Sequence, residues 1–314
     1  MRSHAHWIAL FAIALTGCPA DRRADPALPG SPRDVPPAMA ASPPPVVATV
    51  TGLRGPESVL HDPEQDVYFI SNLNGGLLER DDNGFITRID AATMAVTLKW
   101  IEGGRDAVRL HAPKGMAIVG ETLYVSDIAG VRKFDRRTGR PLGTIILPGA
   151  TLINDLASDG SALYVSDTGV RPGPGTTFYS TGTDAIWMIR ADRAEEIAGT
   201  TALRQPNGID VVNGTLRFVT FRGGELYELR DGAPSPLAEL PEGQLDGLVH
   251  LKNGDVLVSS WEGEGVYRGG PNREFVPILT GIGAPADLGY DAKRNRLLVP
   301  RSATNEVTIH ALEK

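Results

Sequence analysis

A short unit recurs along most of the chain: a small or polar pair, an apolar run, a turn, then an alternating run rich in β-branched and aromatic residues. Its six copies begin at Pro56-Glu57-Ser58-Val59, Pro113-Lys114-Gly115-Met116, Ile153-Asn154-Asp155-Leu156, Pro206-Asn207-Gly208-Ile209, Leu245-Asp246-Gly247-Leu248 and Pro285-Ala286-Asp287-Leu288. Runs such as Val67-Tyr68-Phe69-Ile70, Leu123-Tyr124-Val125-Ser126 and Val256-Leu257-Val258-Ser259 follow, bounded by turn pairs such as Asn213-Gly214 and Asn253-Gly254. Residues of these kinds favour strands and tight turns. No stretch carries a helical stripe, which excludes barrels and doubly wound folds that need helices between their strands. Most copies start about 40 residues apart, close to the length of one four-stranded propeller blade. The pattern predicts an all-β fold, a six-bladed β-propeller.

The last copy stops after its third strand, Glu306 to Leu312, whereas Val46 to Val50 is a β run with no blade before it. The N-terminal strand is therefore expected to complete the last blade, latching the ring and leaving only short edges. Two intervals are longer. One holds Asn72-Leu73-Asn74-Gly75-Gly76 and Asp81-Asp82-Asn83-Gly84, the other Gly169 to Asp184. Long loops on a rigid scaffold commonly bind or gate, and plain decoration is an equal alternative. Composition adds 36 Gly and 24 Pro with only 6% aromatics, as many tight turns require. The net charge of −7 and the absence of a basic stripe exclude nucleic acid as the expected partner. A single Cys excludes an internal disulfide and a Cys-based zinc site.

The N-terminal stretch has a different character. Arg2 precedes an apolar run from Trp7 to Leu15 that ends in Leu15-Thr16-Gly17-Cys18. The run is too short for a membrane-spanning helix and has the size of a secretory h-region. It resembles a bacterial lipoprotein signal, which implies cleavage of residues 1–17 and lipidation of Cys18. Residues 18–45 contain nine prolines from Pro19 to Pro45 and form an expected tether, with 46–314 as the propeller. The resemblance implies a lipid anchor in the cell envelope. Where there are two membranes, the lack of Asp after Cys18 favours the outer one, facing the periplasm.

In a propeller the innermost strand of each blade lines the axis, so equivalent repeat positions converge. At the second position these are Glu57, Lys114, Asn154, Asn207, Asp246 and Ala286. Two carboxylates and two amide oxygens make a hard-oxygen set suited to a divalent cation, Ca²⁺ before Zn²⁺, since His and Cys are missing there. Asn and Asp in these places also serve as turn formers that cap local backbone. Lys114 can offset a carboxylate or meet an anionic substrate group. His111, at the entrance to the second inner strand, is a further candidate for the channel mouth. The chain has no Gly-x-Ser-x-Gly elbow, His-Glu-x-x-His or Walker loop.

At these tetrads the domain resembles the SMP-30/gluconolactonase/luciferin-regenerating-enzyme family of six-bladed propellers. The match is best at Ile153 to Leu156, Pro206 to Ile209 and Leu245 to Leu248. The resemblance implies hydrolysis of a lactone or related ester with a divalent ion in the channel. Asn207 would be a metal ligand, Asp246 both ligand and general base, and Asn154 a substrate contact or further ligand. The family's first-blade ligand lies in Glu-Gly-Pro-x-Trp. Here the acid follows the proline, in Gly55-Pro56-Glu57-Ser58-Val59, so Glu57 takes that role only through the internal repeat. The alternative is a non-catalytic, lipid-anchored propeller that binds a small molecule, a glycan or a protein.

Overall fold

The computed structural model describes residues 42–128, 130–174 and 178–313. The expected leader, Cys18 and the expected tether up to residue 41 lie outside them. Six four-stranded antiparallel sheets follow one another around an axis. Their inner strands are Pro56–Asp62, Pro113–Val119, Ile153–Ser158, Pro206–Val212, Leu245–His250 and the short Gly289–Asp291. These define blades 1 to 6. The expected β-propeller is thus the observed fold. The single helical element among the described residues is a 3₁₀ turn, Thr201–Leu203, and no helix there is long and apolar enough to cross a membrane.

The last blade closes as the chain's pattern requires. Val46–Val50 pairs antiparallel with Glu306–Ala311, and the sheet continues through Arg296–Arg301 to Gly289–Asp291. Contact begins before the strand itself: Pro44 O accepts from His310 Nδ1 at 3.0 Å, and Pro45 O from Ala311 N at 3.0 Å. Proline lacks an N–H but keeps its carbonyl, so the end of the Pro-rich segment still docks on the ring.

The apolar interior is divided rather than central. Six buried clusters each lie between two neighbouring blades. Alternation explains the division. In Val67–Asn72, Val67 and Phe69 pack toward blade 2 while Tyr68 and Ile70 pack toward blade 6. Both faces are buried, so the run reads as continuously apolar. The axis itself is left to polar groups.

Both long insertions connect the second and third strands of their blades. Pro56 pairs with Asn72 and Ile153 with Asp167, so both loops leave from the end of the ring where the inner strands begin. The second folds as a hairpin, Val170–Pro172 against Phe178–Ser180, with the Arg171 guanidinium 5.2 Å from the Tyr179 ring centroid.

Ile309 is fully buried in the closing cluster, whereas Ile146 on an outer strand is 64% exposed. Ile309→Ala is expected to cost about 2–5 kcal/mol in urea unfolding, and Ile146→Ala within about 0.5 kcal/mol. Equal costs would show that closure of the last blade does not stabilise the ring.

Candidate functional site

A local irregularity shapes the channel. In blades 1 to 5 the pairing of the inner strand shifts register between the first and fourth residues of the repeat, as between Pro56 and Val59 or Leu245 and Leu248. A bulge re-aims side chains and commonly sits beside functional sites. Here it gathers second- and third-position residues together. Glycine at the third position lets neighbouring backbones close in: a Cβ on Gly208 would lie 2.2 Å from Asp246 O, and one on Gly247 2.3 Å from Leu288 N. Blades 1, 3 and 6 instead carry Ser58, Asp155 and Asp287 there.

All five polar second-position residues are buried: Glu57, Lys114, Asn154, Asn207 and Asp246. Their hydrogen bonds orient them. Asn207 Nδ2 donates to Leu245 O of the next blade at 3.2 Å, which leaves Oδ1 buried without a donor. Asn154 Nδ2 donates to Thr168 Oγ1 at 3.3 Å, and Thr168 passes a bond to Pro206 O. Asp246 Oδ2 accepts from the indole Nε1 of Trp261 at 2.7 Å. Trp261 in turn meets Phe221 edge-on, with ring centroids 5.6 Å apart. Glu57 Oε2 is buried and bare. An orphaned buried acceptor is costly, and native structures seldom retain one without a reason.

Lys114 does not pair directly with a carboxylate: among the described residues its Nζ donates to Ala112 O at 2.9 Å. Its charge reaches Glu57 through the field and opposes the larger effects on that acid. Burial, then repulsion from Asp246 and Asp287, holds the Glu57 carboxyl well above its usual range. Burial also lowers Lys114 to about 8. His111 is bound into the blade-1 insertion. Its Nδ1 accepts from Asp82 N at 3.0 Å while its backbone N–H donates to Asp127. This geometry supports a structural role for His111 in ordering the rim.

The repeat's second position identified one layer of acids and missed the next. Asp155 Oδ2 accepts from Ile209 N of blade 4 at 2.9 Å, and Asp287 Oδ2 from Ser58 Oγ of blade 1 at 2.5 Å. Both acids stand in the quoted tetrads, where their recurrence at the third position was the available signal. Trp261 gave no such signal, because it reaches Asp246 from the turn after its neighbouring strand. Glu57, Asp155, Asp246 and Asp287 now share a channel with Lys114. Burial and then Asp287 push Asp246 up to about 8, and burial followed by repulsion from Asp210 pushes Asp287 up to about 7.

The donor set fits a hard cation through oxygen atoms, the two carboxylates Glu57 and Asp246 and the amides of Asn154 and Asn207. Among the described residues no three His, Cys, Asp or Glu side chains are arranged to hold a metal ion. A cation would therefore depend on the amides, an arrangement better suited to Ca²⁺ than to Zn²⁺.

No protein-family model and no curated protein matches the sequence. Solved structures do resemble the fold. A gluconolactonase from Xanthomonas campestris aligns with a TM-score of 0.64 at 18% identity, over 91% of this chain and 98% of its own. Virginiamycin B lyase from Staphylococcus aureus aligns with a TM-score of 0.59 at 11% identity, over 84% and 99% respectively. At these identities the likeness establishes the six-bladed architecture, and chemistry has to be argued from the channel.

The raised acids set the pH response. Between about pH 4 and 7 the folded chain keeps protons on Asp246 and Asp287 that the unfolded chain, with carboxylates near 3.8, has released. Their contribution to stability must then fall as pH rises through that window and level off above about pH 8. In chelator, the melting temperature should be lower at about pH 8 than at about pH 5, and Asp246→Asn should flatten the decline. A profile that rises over this range would contradict the buried-acid reading.

Proposed function

We propose that the propeller hydrolyses a small lactone or related ester with a hard divalent cation held by Glu57, Asn154, Asn207 and Asp246, Ca²⁺ being favoured over Zn²⁺. The observation that carries this reading is that all four side chains are buried on the inner strands of four blades, with Glu57 Oε2 and Asn207 Oδ1 lacking donors. The architecture shared with a gluconolactonase supports it. When bound, such an ion supplies polarisation of the substrate carbonyl and stabilises negative charge developing on it.

The chain's own residues supply the remainder. Trp261 holds one oxygen of Asp246, leaving the other to accept a proton from an attacking water. Trp261 and Phe221 together form an aromatic flank that limits water beside that acid. Asn154 positions the substrate or completes the oxygen set. Lys114 contributes a fixed positive field toward an anionic substrate group or product carboxylate. That buried charge also favours the second reading, a non-catalytic propeller whose channel recognises a small molecule, glycan or protein.

Elemental analysis and Ca²⁺ and Zn²⁺ titration of chelator-treated protein, with turnover on a lactone panel, test the assignment. One bound ion and hydrolysis are expected, with Asp246→Asn lowering kcat by about 100-fold or more. Glu57→Gln should weaken ion binding. Unchanged turnover in Asp246→Asn removes it as the base, and absence of both ion and turnover favours the binding reading. Export and lipidation at Cys18 belong to the same proposal: labelling with a fatty acid in a bacterial host should be lost in Cys18→Ser, and labelling that persists would reject that anchor.

A further inference from the structure

One backbone bond recurs around the ring outside the tetrads. In five blades the residue just after the second strand donates its N–H to the carbonyl of the residue just before the tetrad. Leu73 donates to Gly55 at 3.0 Å, Thr168 to Leu152 at 2.9 Å and Phe221 to Gln205 at 2.9 Å. Trp261 donates to Gln244 at 3.0 Å and Ser302 to Ala284 at 3.3 Å. The shared bond makes these five positions equivalent, and two of them touch a second-position side chain of their own blade. Trp261 Nε1 holds Asp246 Oδ2 at 2.7 Å, and Thr168 Oγ1 accepts from Asn154 Nδ2 at 3.3 Å. Thr168 and Ser302 are alike in a further respect. Each hydroxyl donates to the first tetrad carbonyl of the next blade, Thr168 to Pro206 O at 3.0 Å and Ser302 to Pro56 O at 2.5 Å.

Polarity gives the Thr168 bonds a consequence. A hydroxyl carries one hydrogen, and a carbonyl oxygen can only accept. Thr168 spends its hydrogen on Pro206 O, so it presents a lone pair to Asn154. Only the NH₂ end of the amide can meet that lone pair, and a flipped amide would set acceptor against acceptor. Both residues are buried, Thr168 3% and Asn154 8% exposed, so water does little to relieve such a mismatch. The chain therefore runs from Asn154 Nδ2 through Thr168 Oγ1 to Pro206 O and leaves Oδ1 as the accepting end. The Asn154 backbone is fixed as well, because Ser126 Oγ of blade 2 donates to Asn154 O at 2.5 Å. Asn154 is thus tied to blade 2 by its backbone and to blade 4 through Thr168.

We propose that Thr168 is a positioning residue of the channel, whose hydroxyl sets the Asn154 amide so that Oδ1 is the atom offered to a bound ligand. The orientation follows from the hydrogen-bond chain, whereas its use by Ca²⁺ rests on the hydrolase reading. Partners that orient a ligating group commonly change affinity by about 10–100-fold when removed.

Two measurements separate these parts. In ¹⁵N-labelled protein under chelator, the Asn154 side-chain amide is assigned by its loss in Asn154→Asp. Its bonded hydrogen should exchange with water about tenfold or more slowly than that of an exposed amide. Thr168→Val, which keeps the side chain's shape and lacks the hydroxyl, should abolish that protection, and Thr168→Ser should retain it. Ca²⁺ titration should follow the same order, about tenfold weaker in Thr168→Val and near wild type in Thr168→Ser. Saturating Ca²⁺ should then restore lactone turnover in Thr168→Val, which a general loss of structure would not allow. Thermal unfolding checks both variants, and if Thr168→Val fails to fold, protection in the wild type and in Thr168→Ser decides. An unprotected Asn154 amide in the wild type, or equal protection in Thr168→Val, overturns the proposal. So does full Ca²⁺ affinity in Thr168→Val. A wild-type chain that binds no Ca²⁺ rejects the hydrolase reading, and the exchange rates still decide whether Thr168 positions Asn154.

Discussion

Six sheets can share an axis only where their inner strands approach closely, and that approach governs most other features of this chain. At Gly208 and Gly247 the next blade's backbone occupies the space a Cβ would need. Where a larger residue stands instead, it bonds across the blade boundary, as Ser58 does to Asp287 and Asp155 to Ile209 N. These seams therefore join neighbours either by backbone proximity or by a buried polar link. The bulge repeated in blades 1 to 5 accommodates both and turns two successive residues toward the channel.

With the apolar residues used between blades, the axis collects polar groups. Their burial has opposite consequences for stability and for binding. Buried carboxylates near one another resist ionisation, so Glu57, Asp155, Asp246 and Asp287 all hold protons more tightly than exposed acids do. A structure selected for stability alone would have no evident use for such a cluster, since well-packed apolar groups can replace buried charge without loss. Perturbed acids in a channel are instead a common mark of a functional site, and structural ion-pair networks are the other source of such shifts.

The architecture was legible because blade spacing is a property of the sequence alone. Six copies of one tetrad, turn pairs such as Asn253-Gly254, and an unpartnered strand at each end specify both blade number and closure. The candidate site was legible to the depth of the repeat's second position, where Glu57, Asn154, Asn207 and Asp246 all prove buried on inner strands. What lay beyond depended on pairing and reach. Register shift is a relation between two strands, so the contribution of Asp155 and Asp287 to the channel does not follow from a single-strand pattern. Trp261 acts on Asp246 through the length of its indole, and Asp82 of a long insertion binds His111. Tether composition concealed the docking of Pro44 and Pro45, because carbonyl acceptors are common to every residue.

The placement of Lys114 bears most directly on what the channel is for. A lysine serving only to neutralise a buried acid would donate to it, since direct contact returns most of the energy lost on desolvating both groups. Lys114 instead spends its hydrogen bond on Ala112 O and leaves Glu57 Oε2 bare. One fixed positive charge thus faces four buried acids without closing on any of them. The oxygens Glu57 Oε2 and Asn207 Oδ1 are left without donors.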